Sequence, residues 1–198
     1  MTFPLMPSSQ VSIKSGRVEM TDNSLQSVTF NKADTERYII IMLGGQQGSG
    51  YPIFTAPKVN SVSANALVNI HNTSYSDDQN LGIWYFHAPN AKQYVVDLLG
   101  QPYREYALVC VSGIDDPATT ASVTPSKTLT IDKTSLVLGG AVWNSGSYPF
   151  NNLTTIATGD ASTLSYADRV PAGSLDVSLT TIGTLCINQK VIIPYKYL

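Results

Sequence analysis

The sequence contains little charge. Charged residues make up 13% of the 198 residues and the formal net charge is −2, whereas an average soluble protein has about 25% charged residues. The 12 lysines and arginines are scattered along the chain, so they provide no basic surface for nucleic acid. Neutral polar residues fill the gap, because serine, threonine, asparagine and glutamine together number 60. These side chains suit a neutral exterior around an ordinary apolar core.

Long apolar runs are also missing. The longest are Tyr38–Leu43, Tyr106–Val111 and Leu136–Trp143, and all are far shorter than the ~20 residues that a membrane-spanning helix needs. The first ten residues show no charged segment ahead of an apolar stretch, which a secretory signal would have. We therefore expect no membrane insertion, and either a cytoplasmic protein or one that is released inside a particle.

Residue types suited to catalysis or metal binding are few. The chain has two histidines, His71 and His87, and two cysteines, Cys110 and Cys186. The sequence contains no Gly-x-Ser-x-Gly nucleophile elbow with which either histidine could form a catalytic triad. The four residues are spread too widely for a structural zinc site. Both cysteines lie in apolar strand-like runs, which favours buried free thiols, although a disulfide stays open if the two strands are neighbours.

Acidic residues give no clear catalytic pair. The clusters at Asp77–Asn80 and Asp115–Asp116 are rich in oxygen ligands but lack the spacing of an EF-hand, and such residues are common in turns. Glu36 and Glu105 follow or precede an arginine in the sequence, which favours surface ion pairs over a pair of catalytic carboxylates. We predict that the protein is not an enzyme and has no catalytic residues, no cofactor and no bound metal.

The periodicity is that of β-strands throughout. Short runs rich in Val, Ile, Thr, Tyr and Phe alternate with clusters of Gly, Pro, Asn, Asp and Ser, and no segment offers three turns of apolar residues at helical spacing. The predicted strands are Val11–Ile13, Arg17–Met20, Leu25–Phe30, Arg37–Leu43, Lys58–Ser63, Leu67–His71, Leu81–His87, Gln93–Leu98, Arg104–Ser112, Lys127–Ile131, Ser135–Trp143, Leu153–Ala157, Leu164–Ala167, Leu175–Leu179 and Thr184–Ile193. Continuous apolar strands among alternating ones are typical of the centre of a sandwich.

The fold class follows from this strand pattern. We predict an all-β, antiparallel β-sandwich of jelly-roll type with little helix, formed as a single domain over residues 11–198. Residues 1–10 contain Pro4 and Pro7 and are interpreted as an extended N-terminal arm. The predicted loops are Gly44–Pro57, Asn72–Asn80, Asp115–Pro125 and Asn144–Asn152. No repeat at a fixed period is visible.

The order of several short motifs resembles a β-sandwich module that recurs in bacteriophage virion proteins and in some bacterial surface proteins. The resemblance covers residues 25–195 and has five parts. They are Ser27–Phe30 followed by Glu36–Ile41, the hairpin Val59–Leu67, the Trp-Tyr segment Leu81–Pro89, the strand Ala107–Asp115, and Ser135–Gly139 together with the C-terminal strand that ends at Pro194. The hairpin departs from the family pattern, because its turn is read here as Ala64-Asn65 instead of a glycine-rich turn.

The resemblance implies a non-enzymatic module of structural or attachment proteins. We therefore expect a structural component of a phage virion, such as a capsid decoration or minor capsid protein, a head fibre or a tail-associated protein. It would be assembled in the host cytoplasm and would contact other virion proteins as a homo-oligomer or as copies in a lattice. The alternative is a carbohydrate-binding or adhesion module that recognises surface glycans of the host.

Aromatic residues near loops are the candidate contact residues. Trp143 ends an apolar strand and is expected to be half exposed beside Tyr148, with Tyr51 in the glycine-rich loop. Together these three side chains would line a shallow groove, since exposed tyrosine and tryptophan can anchor a sugar or a protein partner. Tyr195 and Tyr197, in the aromatic C-terminal segment, are expected to dock on a neighbouring subunit.

Overall fold

A computed structural model describes residues 11–18, 25–48, 53–74, 77–98, 104–144, 148–159, 161–179 and 184–197. It has the all-β, antiparallel, sandwich-like fold that the sequence predicts. One short helix, α1 (Pro117–Thr120), lies among the described residues. The strands are β1 (Val11–Val18), β2 (Leu25–Thr29), β3 (Arg37–Gly48), β4 (Lys58–Val59), β5 (Val62–Ser63), β6 (Asn65–Asn72), β7 (Asp77–His87), β8 (Gln93–Asp97), β9 (Arg104–Ser112), β10 (Ser122–Thr124), β11 (Thr128–Ile131), β12 (Ser135–Trp143), β13 (Thr154–Thr158), β14 (Ser162–Val170), β15 (Gly173–Asp176) and β16 (Leu185–Pro194).

The strands form four sheets that are stacked as layers. The first large sheet has the order β1-β9-β3-β7-β6, and the second has the order β10-β16-β12-β14-β13. These two sheets pack on each other through their central strands. The first outer sheet, β2-β8-β4-β5, covers the other face of the first large sheet, and the second outer sheet, β11-β15, covers that of the second.

The layering explains why the central strands are apolar on both faces. In β3, Ile40 and Met42 belong to the core between the two large sheets, whereas Ile39 and Ile41 belong to the core under the first outer sheet. Residues of β12 divide in the same way between the central core and the core under the second outer sheet. A strand that is buried on both faces carries apolar side chains on both, so its sequence does not alternate between apolar and polar residues. The continuous runs in the sequence therefore mark the middle layers.

The two halves of the chain have the same topology. If the hairpin β4–β5 is set aside, residues 11–112 and residues 113–197 each contribute seven strands. In both halves the large sheet has the order first, seventh, third, fifth and fourth strand, and the outer sheet pairs the second strand with the sixth. With β4 and β5 included and β6 set aside, the first half has the strand order of a jelly roll, namely 1-8-3-6 facing 2-7-4-5.

Three of the predicted loops contain regular structure instead, and one of them, Asn72–Asn80, includes the start of β7. β3 continues through Gly44 and Gly45 to Gly48, where the sequence predicted a flexible loop. A β-carbon at Gly44 would lie 3.1 Å from the Cβ of Ser162 in the second large sheet, so this glycine permits the close approach of two sheets and is not a loop signal. The predicted loop Asp115–Pro125 contains α1 and β10.

The boundaries of other segments also differ from the prediction. Residues Val11–Val18 form one strand instead of two, and β7 begins at Asp77 inside a predicted loop. The hairpin turn lies at Asn60-Ser61, not at Ala64-Asn65. Both turn residues have positive φ, at 49° and 70°, which is the conformation of a tight two-residue hairpin turn. The predicted arm, residues 1–10, lies outside the described residues.

Candidate functional site

Trp143 is not half exposed as expected, because its side chain is 0% exposed. It packs between β12 and the second outer sheet, and its ring meets the edge of Tyr148 at a centroid distance of 5.4 Å. Tyr148 itself is half-buried. The sequence showed that Trp143 ends a strand but not that another sheet covers that strand. Tyr51 lies outside the described residues. Because Trp143 is covered, it is not the exposed centre of the predicted groove.

The two C-terminal tyrosines differ in their surroundings. Tyr195 is buried in the central core, and its hydroxyl donates a hydrogen bond to Asp168, so the expectation that it docks on a neighbouring subunit is not supported by its exposure. Tyr197 is 51% exposed, and its hydroxyl donates to Glu36 Oε1 at 2.9 Å. Only Tyr197 therefore presents its ring to the outside.

Conservative substitution of these tyrosines tests the difference. Tyr195→Phe is expected to destabilise the protein by about 1 kcal/mol, since it removes the buried hydroxyl and leaves the Asp168 carboxylate without this hydrogen-bond donor. Tyr197→Phe, the matched control, is expected to change stability by less than about 0.5 kcal/mol, because its hydrogen bond is solvent-exposed. Urea unfolding of both variants measures the two values. Equal losses of stability in the two variants would show that the buried hydroxyl of Tyr195 contributes no more than the exposed hydroxyl of Tyr197.

A second aromatic cluster, which the sequence analysis missed, lies where β3 begins and β7 ends. We call Tyr38, Tyr85, His87 and Tyr197 the aromatic patch. Tyr38 and His87 are cross-strand partners with ring centroids 5.1 Å apart, and the centroids of Tyr38 and Tyr85 are 6.3 Å apart. His87 is exposed, and its Nε2 lies 2.7 Å from the carbonyl oxygen of Thr35. The signal in the sequence was the spacing of Tyr85 and His87, two residues apart at the end of β7, which places both side chains on one face of the strand.

Charged groups flank the aromatic patch. Lys196 Nζ lies 2.7 Å from Glu36 Oε1, and Lys196 donates to this carboxylate beside Tyr197. Burial raises the pKa of Tyr38 and of Tyr85, and in each case the nearby Asp116 carboxylate raises the pKa further. The patch thus combines ring faces, phenol hydroxyls and two carboxylates. Such a surface can stack on an apolar face and accept hydrogen bonds at its rim.

An open groove lies between the two large sheets at their edge. We call it the edge groove; its volume is about 640 Å³, and it is lined by residues 70–74 at the end of β6, by Pro125 after β10, and by residues 185–189 at the start of β16. Asn72 Nδ2 donates to the carbonyl oxygen of Cys186 at 3.2 Å, and Asn188 Nδ2 donates to that of Pro125 at 3.4 Å. The buried Oδ1 of Asn188 has no hydrogen-bond partner. Apart from His71 and Cys186, the lining carries no titratable side chain.

Both cysteines are free thiols, as the sequence favoured. Cys110 is buried under the first outer sheet, and burial raises its pKa to about 11. Cys186 is partly exposed in the edge groove. Because a thiol reacts as its thiolate, we expect one thiol per chain to react with a disulfide reagent under native conditions and two in denaturant. Cys186→Ser should abolish the native reaction, and reaction of Cys110 in that variant would contradict the assignment.

The acidic cluster Asp115–Asp116 has a structural role. Asp115 accepts a hydrogen bond from Lys133 at 2.6 Å, and Asp116 caps α1 by accepting from the Ala118 amide at 3.0 Å. Within the part of the chain that the structure describes, no three His, Cys, Asp or Glu side chains gather closely enough to hold a metal ion. Glu105 is buried instead of lying on the surface: it accepts from Ser162 Oγ at 2.6 Å, and its Oε1 lies 4.0 Å from Nε of Arg17. The carboxylate of Glu36 contacts Lys196 instead of Arg37.

Comparisons with known proteins found no relative. No family model matches the chain, and neither a curated protein nor a solved structure matches it. None of the helices in the described ranges is long and apolar enough to cross a membrane.

Proposed function

We propose that this chain is a non-enzymatic structural subunit of a phage virion that acts through contacts between subunits. The observation that carries the proposal is the fold itself. Two halves of the same topology, the first with jelly-roll strand order, share one central core and form a rigid stack of four sheets. Jelly rolls are common in viral capsids and in lectins. Because one fold can serve many functions, the support is by analogy, together with the motif order of residues 25–195.

Several exposed apolar and aromatic groups are suited to contacts between such subunits. The aromatic patch has Tyr197 and His87 exposed, and exposed apolar side chains occur on the first outer sheet, at Leu25 and Val62, and on the edge strand β10, at Val123. Aromatic residues are enriched at protein interfaces, where they lose little conformational entropy on binding. The aromatic patch is therefore the best candidate among these for a contact between subunits.

Sedimentation velocity of the purified full-length chain over a wide concentration range tests this proposal, together with mass spectrometry of purified particles. We expect self-association, or recovery of the chain in particles. His87→Glu, which places a charge in the aromatic patch, should weaken association at least tenfold. Thr130→Glu, on the exposed face of the second outer sheet, is the matched control and should have no effect. A chain that stays monomeric and is absent from particles would overturn the proposal.

The second candidate function is glycan binding, and the carboxylates beside the aromatic patch favour it. Tyrosine rings can stack on the apolar face of a sugar, and Glu36 and Asp116 can accept hydrogen bonds from its hydroxyls. A glycan array with the full-length chain tests this candidate. Tyr85→Ala should abolish binding, whereas Tyr148→Ala, which removes a half-buried tyrosine elsewhere, should not. Trp143→Ala is unsuitable for this purpose, because loss of a fully buried ring would report unfolding.

A further inference from the structure

The oxygen-rich cluster Asp77–Asn80 is divided between the two faces of β7. Successive residues of a strand point to opposite sides of the sheet. Asp77 lies on the side of the central core, and its carboxylate accepts a hydrogen bond from Gln46 Nε2. Asp78 and Asn80 lie on the opposite side, which packs under the first outer sheet. Asp78 and Asn80 can therefore act together, whereas Asp77 is turned away from them.

His71 joins this pair from the neighbouring strand. It is the cross-strand partner of Asn80 in the pairing of β6 with β7, and directly opposed residues have β-carbons about 4.5–5.5 Å apart. Nε2 of His71 lies 3.6 Å from Oδ1 of Asp78. One face of the sheet edge thus carries an imidazole, a carboxylate and an amide side by side. We call His71, Asp78 and Asn80 the His–Asp–Asn cluster.

Most of the His–Asp–Asn cluster is covered. Asn80 is 0% exposed and Asp78 is 5% exposed. A segment that contains Phe54 crosses the same face, because the Phe54 carbonyl oxygen accepts from Nδ2 of Asn69, two residues before His71 on β6, at 3.0 Å. The side chain of His71 is 22% exposed. The imidazole therefore borders the solvent, while the carboxylate and the amide lie beneath it.

Three polar atoms of the cluster are buried and have no hydrogen-bond partner. They are Nε2 of His71 and both Oδ1 and Nδ2 of Asn80. Buried polar groups in folded proteins are nearly always paired. Because Asn80 stands opposite His71 on the same face of the sheet, the orphaned amide and the orphaned imidazole nitrogen border one space. A ligand between them would satisfy both groups.

The spacing within the cluster fits a metal ion better than a hydrogen bond. The 3.6 Å between Nε2 of His71 and Oδ1 of Asp78 is too long for a hydrogen bond. Two ligand atoms that each lie about 2.1 Å from one tetrahedral zinc ion are about 3.4 Å apart. The amide oxygen of Asn80 can supply a third ligand and water a fourth. A divalent cation would also offset the charge of the buried carboxylate.

We propose that His71, Asp78 and Asn80 bind one divalent transition-metal ion, and that Zn²⁺ fits their spacing. An imidazole nitrogen favours such ions over Mg²⁺, which takes oxygen ligands. The site goes against the sequence-based expectation of no bound metal, since the register that places His71 opposite Asn80 is not visible in a linear pattern. A bound ion would tie the edge strand β6 to β7.

The proposed metal site is independent of the proposed function. It lies at the start of β7 and on the side of the first outer sheet, whereas the aromatic patch lies at the end of β7 and on the other side. Zinc binding by a chain that neither self-associates nor occurs in particles would leave the metal site standing.

Calorimetric titration of the full-length chain with Zn²⁺ tests the proposal, with Mg²⁺ as the comparison ion. We expect one Zn²⁺ per chain and no binding of Mg²⁺. A ligand at about 100 times its Kd should raise the Tm of a chain of this size by about 5–10 °C. The chain has two histidines, which provide a matched pair of variants. His71→Gln should weaken zinc binding at least tenfold, whereas His87→Gln, at the other histidine, should leave it unchanged.

Variants of Asn80 separate metal binding from packing. Asn80→Leu removes the two orphaned amide atoms, so this variant should fold and should bind Zn²⁺ at least tenfold more weakly. Asn80→Asp places a second carboxylate beside Asp78, and like charges in a buried site repel each other. This variant should have a lower Tm than the wild type in EDTA, and Zn²⁺ should raise its Tm by more than it raises that of the wild type.

The location of the ion is checked with the partly exposed thiol. Cys186→Ser should bind Zn²⁺ as the wild type does, because Cys186 is not one of the three proposed ligands. A full-length chain that binds no Zn²⁺ would overturn the proposal and leave His71 and Asp78 as an ion pair. Binding that survives His71→Gln, or that is lost in Cys186→Ser or His87→Gln, would also overturn it, because the ion would then be held elsewhere.

Discussion

Replacing Lys190 with methionine is expected to stabilise the protein at pH 7 by about 1–3 kcal/mol, since an apolar side chain of similar length replaces a buried charge that has no carboxylate partner among the described residues. The side chain of Lys190 is 0% exposed, and it lies on the face of β16 that points away from the first large sheet. Its ammonium group has the Pro125 carbonyl oxygen at 3.1 Å and the Phe150 ring centroid at 5.4 Å. Burial, with a contribution from nearby Lys127, lowers its pKa from 10.5 to about 8. The charged form is therefore disfavoured in the folded state.

The pH dependence has a definite sign. Between about pH 8 and pH 10.5 the unfolded chain keeps the proton on Lys190 while the folded chain has lost it. Stability rises with pH wherever the unfolded state binds more protons, so the wild type should gain stability across this window and Lys190→Met should not. Below pH 8 the full cost of burying the charge applies.

Urea unfolding at pH 7 and at several values up to pH 10.5 measures the effect. The difference between the wild type and Lys190→Met isolates Lys190 from the other ionisable groups, which the two proteins share. Lys58→Met, which removes an exposed lysine of the first outer sheet, is the matched control and should shift stability by less than about 0.5 kcal/mol at any pH. A destabilised Lys190→Met, or identical pH profiles for variant and wild type, would contradict the prediction.

Adding one methyl group at Gly82 is expected to destabilise the protein by about 3 kcal/mol, the upper end of the usual cost of overpacking. A β-carbon at this position would lie 1.7 Å from Cη2 of Trp84, which is closer than atoms can approach. The Trp84 ring is 0% exposed under the first outer sheet and cannot move aside into solvent. Gly82 lies in a central strand, between Leu43 of β3 and Asn69 of β6, so the backbone cannot shift alone.

A double-mutant cycle identifies the cause. In a Trp84→Leu background the clash is absent, so Gly82→Ala should then cost less than about 1 kcal/mol, and the coupling between the two sites should be large. Gly44→Ala provides a graded comparison. Its β-carbon would meet Ser162 at 3.1 Å, so it should cost less than Gly82→Ala. Unfolding midpoints in urea give all four values, and equal costs of Gly82→Ala in the two backgrounds would disprove the clash.

The strands that the sequence predicted best are those in the middle layers. Arg104–Ser112 and Ser135–Trp143 were predicted with the bounds that the structure has. Their apolar residues are continuous and turn residues bound them, so the local pattern alone defines them. Gly44 was misread as a loop residue, because its role depends on how closely the second large sheet approaches. That distance is not encoded in neighbouring residues.

The internal repeat was not visible as a period because the two halves have different loops and the hairpin β4–β5 occurs in only one of them. A short trace is nevertheless present. Ser27–Lys32 and Thr128–Lys133 both read as polar, apolar, Thr, apolar, Asx, Lys, and they occupy equivalent places at the ends of β2 and β11. Sequence similarity of six residues is too short to indicate a repeat until the strand order is known.

The sequence by itself determined the all-β class, the central strands and the neutral polar exterior, because strand periodicity and composition act locally. Only the tertiary structure decided that Trp143 is covered, that Lys190 is buried and that Tyr38 and His87 meet. Each of these depends on which sheet lies over which strand. That choice is made by contacts between residues far apart in the chain, and a linear pattern does not contain them.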